Sequence, residues 1–138
     1  MRELRATLDE LNAVLDASRF VESYRFRAVA CAPGVCELDL PFDPSLERPG
    51  GVITGVALMG AADVAMWLAI MTLRGTSQQW VTADLKSAFL SGARGENVVC
   101  RATVLKLGER SAYGTAECRS PDGTLIAHHT VTYVRAGT

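Results

Sequence analysis

One stretch of the sequence constrains the fold more than any other: residues 52–73 contain a single charged residue, Asp63. As an α-helix this stretch would be about 33 Å long, which is enough to cross a bilayer. An aspartate near the middle of a membrane span costs about 2.5–3.5 kcal/mol, however, and the residues that follow alternate like β-strands. We therefore interpret the stretch as a helix that is apolar on all sides because it is buried at the centre of a soluble fold.

The rest of the chain predicts a short helix and several strands. Residues 2–16 carry leucines and a valine at helical spacing, as in an amphipathic helix that covers one end of a domain. Stretches rich in β-branched residues and bounded by turn residues predict strands at 19–31, 35–40, 80–90, 97–107, 110–119 and 124–134. The predicted fold is α+β, a single domain over residues 1–138 in which a curved antiparallel sheet wraps a long central helix.

Composition and charge exclude several classes of protein. Hydrophobic residues make up 49% of the chain, which excludes intrinsic disorder, and 14 basic against 15 acidic residues give no surface for nucleic acid. The first residues lack the apolar core of a secretory signal. The four cysteines have neither the density of a disulfide scaffold nor the spacing of a zinc site. We expect a cytoplasmic protein with reduced thiols, no metal site, and no nucleic-acid or membrane partner.

Asp63 is the residue whose surroundings point most clearly to chemistry. Its neighbours on the same face of the predicted helix include Met59, Met66 and Trp67, and no lysine or arginine lies within four residues. A buried carboxylate without a cation must accept hydrogen bonds from other groups. Either a neighbouring segment supplies backbone donors and the role is structural, or the acid is a general base or nucleophile, which is the interpretation we favour.

Thr54 and Gly55 stand where the long helix is predicted to begin. The first N–H groups of a helix have no partner within it and carry a partial positive charge. Aimed at a carbonyl oxygen, they form a site of the oxyanion-hole type, and a glycine leaves room for a substrate to approach. The simpler interpretation is that Thr54 caps the helix, as threonine commonly does. The two roles are compatible.

The helix and the strand after it share a pattern with a known family. Ile53-Thr54-Gly55, then Asp63, then Val81-Thr82-Ala83-Asp84-Leu85 and Phe89-Leu90 resemble the hotdog thioesterases of the phenylacetate-pathway (PaaI) type. Their pattern is His-Gly, an acid eight residues after the glycine, and a strand of the form V-[ST]-x-D-[LM]-x-x-x-[FY]-[LM]. The resemblance covers residues 19–134 with the same order of elements, and it implies the hotdog fold.

The resemblance also implies an activity and the residues that carry it. The chain would be an acyl-CoA thioesterase for a small or medium acyl- or aryl-CoA, with no cofactor beyond the coenzyme A of the substrate. The Gly55 N–H would polarise the thioester carbonyl, Asp63 would act as general base or nucleophile, and Thr82 would help to orient the attacking water. Two positions depart from the pattern: Thr54 stands where the family has histidine, and Arg48 falls near an upstream polar residue that is often asparagine. A binding protein for acyl-CoA that does not hydrolyse it is therefore the alternative.

Further residues complete the predicted substrate site. Met59 and Trp67 are core residues or else an apolar wall beside Asp63 that suits an acyl or aryl chain. Basic groups near the rim of the sheet bind coenzyme A phosphates in the family, and Arg110 is the best match here. His128 and His129 follow each other on the last predicted strand, so they point to opposite faces and are expected to be structural.

The spacing of Gly55 and Asp63 predicts an oligomer. Eight residues of helix separate them by about 12 Å along the axis, so one helix cannot present both to the same thioester. Two antiparallel helices related by a two-fold axis can, and they would also bury Gly60, Ala61 and Ala65. This agrees with the back-to-back dimers of the family. We expect a homodimer with shared active sites, with a dimer of dimers as the larger alternative.

Overall fold

A computed structural model of the protein describes residues 2–137. Its α-helices are α1 (Leu8–Ala17) and α2 (Gly55–Arg74), and 3₁₀-helices lie at Arg19–Tyr24 and Pro44–Leu46. The strands are β1 (Arg27–Ala32), β2 (Val35–Leu40), β3 (Trp80–Phe89), β4 (Val98–Leu107), β5 (Ser111–Arg119) and β6 (Leu125–Arg135). The predicted element order is therefore confirmed, with changes at several boundaries.

The strands form one antiparallel sheet in the order β1-β2-β4-β5-β6-β3, and α2 packs across one of its faces. Along β4 and β5 the side chains alternate between that face, where they are buried, and the outer face, where they are exposed or half-buried. Strands β1 and β3 are the two edges of the sheet. The predicted fold class, a central helix wrapped by an antiparallel sheet with a short N-terminal helix, is confirmed.

Helix α2 is the core of the fold. It is long and apolar enough to cross a membrane, but 67% of its most apolar stretch is buried inside the protein. Most of its large side chains are buried, and its alanines recur at every fourth position on the side that faces the sheet, where they allow close approach. The fully buried residues of α2 include Ala57, Ala61, Ala65, Met66, Leu68, Ala69 and Ile70.

The prediction of one strand over residues 19–31 is wrong in its first half. Residues Arg19–Tyr24 form a 3₁₀-helix, Arg25 adopts a left-handed conformation with φ of 56°, and β1 begins only at Arg27. The reason lies in the spacing of apolar residues: Val21 is buried and Tyr24, three residues later, stacks on Phe26 with ring centroids 5.1 Å apart. A spacing of three suits a 3₁₀ turn and not a strand.

The start of the first helix also differs from the predicted one. Helix α1 begins at Leu8, because Thr7 and Glu10 form a reciprocal capping box in which each side chain bonds to the other residue's backbone N–H. The apolar stretch 52–73 becomes helical only from Gly55, the position at which the sequence predicts the helix to begin, because Thr54 caps it. Both boundaries follow from capping threonines that are visible in the sequence.

Candidate active site

Two hydroxyl groups hold the Asp63 carboxylate at the middle of α2. The Thr82 hydroxyl on β3 donates to Asp63 Oδ1 at 2.5 Å. The Tyr133 hydroxyl on β6 lies 2.9 Å from the same oxygen and 2.7 Å from the Asp63 carbonyl oxygen. Thr82 and Tyr133 are register partners of the β3–β6 pair, which is why their side chains converge. Asp63 Oδ1 is thus occupied, whereas no donor among residues 2–137 bonds to Oδ2.

A β-bulge at Ala83 aims Thr82 at the helix. The register of β3 against β6 shifts between Thr82 and Asp84, so β3 contains one extra residue at this point. Side chains alternate along a strand, and without the extra residue Thr82 would point away from the face that carries Phe89. With the bulge, Thr82 bonds to Asp63 while the Phe89 ring packs over Gly55. One strand therefore contacts both predicted ends of the site.

An apolar cleft of about 340 Å³ opens beside Asp63. Four of its lining side chains are apolar, and its polar groups are gathered at the carboxylate. The lining residues are Phe20, Asp63, Trp67, Trp80, Val81, Thr82 and Tyr133. Sites that bind a mostly apolar ligand and act on one polar group of it have this composition.

The electrostatics of the cleft depend on neutral donors. No cationic side chain among the described residues forms an ion pair with Asp63. Burial raises the pKa of Tyr133, and the negative charge of Asp63 raises it further. The phenol therefore remains a hydrogen-bond donor to the carboxylate at neutral and alkaline pH.

The N-terminus of α2 has a free backbone donor. The Thr54 hydroxyl accepts a hydrogen bond from the Val56 N–H at 3.4 Å and so caps the helix. No acceptor within residues 2–137 pairs with the Gly55 N–H. A Cβ at position 55 would lie 3.0 Å from the Phe89 ring, so a larger residue would force that ring to shift. The Gly55 N–H is thus available to a carbonyl oxygen or an anion.

Comparison with known proteins identifies the family. Residues 50–127 match the family described as the thioesterase superfamily, which is more than half of the chain and includes both Gly55 and Asp63. The chain belongs to the thioesterase superfamily. The resemblance found in the sequence is confirmed at this level, and the match covers α2, β3, β4, β5 and the first residues of β6.

Several solved structures share this fold along most of the chain. A conserved protein from Pseudomonas aeruginosa is 34% identical, with a TM-score of 0.81 over 86% of this chain and 94% of its own. Zebrafish thioesterase superfamily member 2 is 25% identical, with a TM-score of 0.83 over 94% and 99% of the two chains. The PaaI protein of the phenylacetic acid degradation operon of E. coli, 14% identical with a TM-score of 0.83 over 95% and 97%, shares the fold. No curated protein matches the sequence.

The structure brings some of the predicted site residues of this thioesterase-family chain together and leaves others apart. Asp63, Thr82 and Trp67 line one cleft. Met59 is 36% exposed on the turn of α2 before Asp63 and does not line that cleft. Arg48 is exposed in the turn before α2, where its backbone N–H bonds to the Val52 carbonyl at 2.7 Å. Arg110, also exposed, lies in the β4–β5 turn.

The two histidines point to opposite faces of β6, as expected. His128 lies on the outer face, with Nδ1 3.5 Å from the Glu117 carboxylate. His129 is fully buried against α2, with Nδ1 2.6 Å from the Ser87 hydroxyl and Nε2 3.6 Å from Cys118 Sγ. Neither lines the Asp63 cleft.

Sequence reasoning missed four residues of the cleft: Phe20, Trp80, Val81 and Tyr133. Phe20 lies in the half of the predicted strand 19–31 that forms a 3₁₀-helix instead. Trp80 is the first residue of β3. Tyr133 reaches Asp63 only because it is paired with Thr82 across two strands that are far apart in sequence. The sequence could have pointed to Tyr133 only through an antiparallel pairing of the strand of Thr82 with the last strand, which places the two residues opposite each other.

Proposed function

We propose that this protein hydrolyses acyl-CoA thioesters with a small or medium acyl or aryl group, as one thioesterase domain over residues 1–138. One observation carries the proposal: Oδ1 of Asp63 is held by Thr82 and Tyr133, and Oδ2 is left free beside an apolar cleft. A carboxylate oriented in this way can take a proton from water or attack a carbonyl carbon itself. Thioester chemistry agrees with the superfamily to which the chain belongs.

In the proposed reaction the Gly55 N–H donates to the thioester carbonyl oxygen. Asp63 Oδ2 takes a proton from water as the water oxygen bonds to the carbonyl carbon, and negative charge develops on the carbonyl oxygen. The tetrahedral intermediate expels coenzyme A as a thiolate, which is protonated, and the free acid remains. Thr82 and Tyr133 hold the carboxylate, and Thr82 also helps to orient the water. No metal or redox cofactor takes part.

A second route starts from the same geometry. Asp63 Oδ2 bonds directly to the carbonyl carbon and displaces coenzyme A, and water then hydrolyses the mixed anhydride. A single turnover in ¹⁸O-labelled water with enzyme in excess separates the two routes. The general-base route places the label in the product acid in the first turnover. In the anhydride route with water attacking Cγ of Asp63, the label enters the Asp63 carboxylate first and reaches the product acid only in later cycles.

We infer that the active unit is a homodimer with shared sites. Gly55 and Asp63 lie on one continuous helix, about 12 Å apart along its axis, so that Gly55 of one protomer would serve Asp63 of its partner. The same side of α2 exposes Val56 by 65% and Met59 by 36%, and β3 is an edge strand whose outer hydrogen-bonding groups are unpaired in one chain. These features favour a partner along α2 and β3, and a dimer of dimers is the larger alternative.

The remaining residues would bind the rest of the substrate. Trp67 contacts the acyl group, and Thr54 and Met59 flank the thioester at the helix N-terminus of the partner protomer. Arg48 and Arg110 bind phosphates of coenzyme A; the carbonyl of Arg110 accepts from the N–H of Arg135, which pairs with Trp80 at one end of the cleft. Within the superfamily we assign the chain to the PaaI type, acting in the cytoplasm.

The function is tested with a panel of short, medium and aromatic acyl-CoAs and a thiol-release assay. Turnover of at least one of them is expected, and Asp63→Asn should abolish it while the melting temperature stays close to that of the unchanged protein. That substitution removes the base and keeps the volume. Near-normal turnover by Asp63→Asn would rule out the mechanism, and a large loss of melting temperature would assign Asp63 a structural role instead.

The alternative is a protein that binds acyl-CoA and does not hydrolyse it. It is favoured by one observation, that Thr54 stands where the family pattern has histidine and is engaged as a helix cap. In that case the panel would give binding in a calorimeter and no thiol release. Thr54→His would then be expected to introduce turnover.

A further inference from the structure

The apolar side chain of Phe20 lies exposed at the opening of the cleft beside Asp63. Its ring is 66% exposed to solvent and lies against Trp67, with ring centroids 5.8 Å apart and an angle of 58° between the planes. Both rings line the cleft whose polar end is Asp63. Together with Val81, which is 44% exposed, these rings form a contiguous apolar surface beside the carboxylate, and such a surface marks a ligand-binding groove.

The 3₁₀-helix Arg19–Tyr24 that carries Phe20 passes over α2 on both sides of Asp63. At one end Phe20 contacts Trp67, one turn after Asp63; at the other end Tyr24 lies beside Gly60, where a Cβ would be 3.9 Å from its ring. Val21 is its only buried residue. Behind the segment lies a further cleft of about 280 Å³. The segment therefore separates the two clefts and is attached to the packed core mainly through Val21.

We propose that Phe20 is a specificity-determining residue, which together with Trp67 and Trp80 selects compact apolar acyl groups of about the size of one aromatic ring. This inference rests on the proposed function. The cleft, at about 340 Å³, is near the lower end of the volumes of ligand sites, so it suits a compact acyl group better than a long chain.

The length of the acyl group determines whether it can contact Phe20. Trp67 follows Asp63 by four residues, which is about 6 Å along the helix axis. An acetyl group bound at Asp63 ends well short of that distance, whereas the ring of a phenylacetyl group spans it and can pack between Phe20 and Trp80. Phe20 is therefore expected to matter for the second substrate far more than for the first.

The test compares Phe20→Ala with a matched control, Tyr113→Ala, which removes another exposed aromatic ring on the outer face of β5. We measure kcat/KM for acetyl-, phenylacetyl- and decanoyl-CoA. In Phe20→Ala the ratio of phenylacetyl- to acetyl-CoA should fall about fivefold to tenfold, as expected for the loss of one aromatic contact. The ratio of decanoyl- to phenylacetyl-CoA should rise, and Tyr113→Ala should change neither. Unchanged ratios in Phe20→Ala would overturn the proposal.

A binding measurement keeps this result separate from the proposed function. In Asp63→Asn, calorimetric titration with phenylacetyl-CoA and acetyl-CoA should show the same selective loss of affinity on adding Phe20→Ala. If the unchanged protein hydrolyses none of the thioesters, the proposed activity fails, and this titration alone decides the role of Phe20. Equal affinities with and without the Phe20 ring, or no binding of phenylacetyl-CoA at all, would refute that role.

Discussion

The two oxygens of Asp63 have different surroundings, and this difference defines the candidate chemistry. Oδ1 accepts from Thr82 and Tyr133, while Oδ2 has no donor among the described residues. Both donors are neutral hydroxyl groups, and they fix the orientation of the carboxylate without an ion pair. Tyr133 also bonds to the Asp63 backbone and so links the side chain to the helix that carries it. We regard Tyr133 as a positioning residue.

Tyr133→Phe tests this role at the level of one hydrogen bond. A hydrogen bond to a charged group is worth about 1.5–3 kcal/mol, so kcat should fall about 10- to 100-fold. KM should change little, because the phenol does not need to touch the acyl group. The control is Tyr113→Phe, which removes a hydroxyl from an exposed tyrosine on β5. An unchanged kcat in a folded Tyr133→Phe protein would show that Thr82 alone positions the carboxylate.

The raised pKa of Tyr133 predicts a loss of stability at high pH. Tyrosine in an unfolded chain ionises near pH 10, whereas burial and the Asp63 charge keep Tyr133 protonated in the folded protein above that value. Above about pH 10 the unfolded state therefore binds fewer protons than the folded state, and the free energy of unfolding falls as pH rises. Below pH 10 this residue causes no pH dependence.

The measurement is the melting temperature between pH 8 and pH 11 for the unchanged protein and for Tyr133→Phe. The variant has no phenol at this position, so its curve should fall less steeply above pH 10. Parallel curves over the whole range would contradict the assignment of a raised pKa to Tyr133.

At the scale of elements, hydrophobic patterns in the sequence predict most of the fold. The apolar stretch 52–73 predicts a helix that is mostly buried, and the four strands after α2 follow from their turn residues. The segment Arg19–Tyr24 was mispredicted, because a buried valine and a stacked tyrosine three residues apart give no strong periodic signal. Asp63, Gly55 and Thr82 could be proposed from local motifs, whereas Tyr133 and Phe20 depend on register and tertiary packing.

Gly114 shows how closely the elements must approach. A Cβ there would lie 2.2 Å from the Thr103 carbonyl oxygen and 2.6 Å from Met66 Cε. Gly114→Ala should therefore lower the free energy of unfolding by about 1–3 kcal/mol or more, since neither the β4 backbone nor the buried Met66 can move freely. Gly92→Ala is the control, because its Cβ would meet Val52 at an ordinary 3.5 Å. Urea titrations of both variants test this, and equal midpoints would contradict it.

At the scale of the whole molecule, the proposed site is incomplete in one chain. The free N–H of Gly55 and the free oxygen of Asp63 stand on one rigid helix at a separation no single thioester can bridge. One expectation about the dimer is wrong: Ala61 and Ala65 are fully buried against the sheet within one chain, so they cannot lie between the two helices. The surface left for a partner consists of larger exposed residues of α2 together with the edge strand β3.

Mixing two inactive variants tests the shared site. Asp63→Ala removes the base, and Gly55→Pro removes the N–H at a helix position that tolerates proline. A heterodimer of the two would have one site with both defects and one intact site, so activity should return towards half of the unchanged protein per dimer. Refolded mixtures that contain heterodimers by mass and remain inactive would show that each chain forms its own site.

Gly55→Ala is the necessary control in this experiment. Any side chain at position 55 meets the Phe89 ring, at 3.0 Å for a Cβ, so Gly55→Pro both crowds that ring and removes the N–H. Gly55→Ala crowds it equally and keeps the donor. If the N–H stabilises the oxyanion, Gly55→Pro should lose about 10²- to 10³-fold more in kcat than Gly55→Ala, as the loss of one oxyanion donor does elsewhere. Equal losses would mean that Phe89, and not the N–H, explains why glycine is needed there.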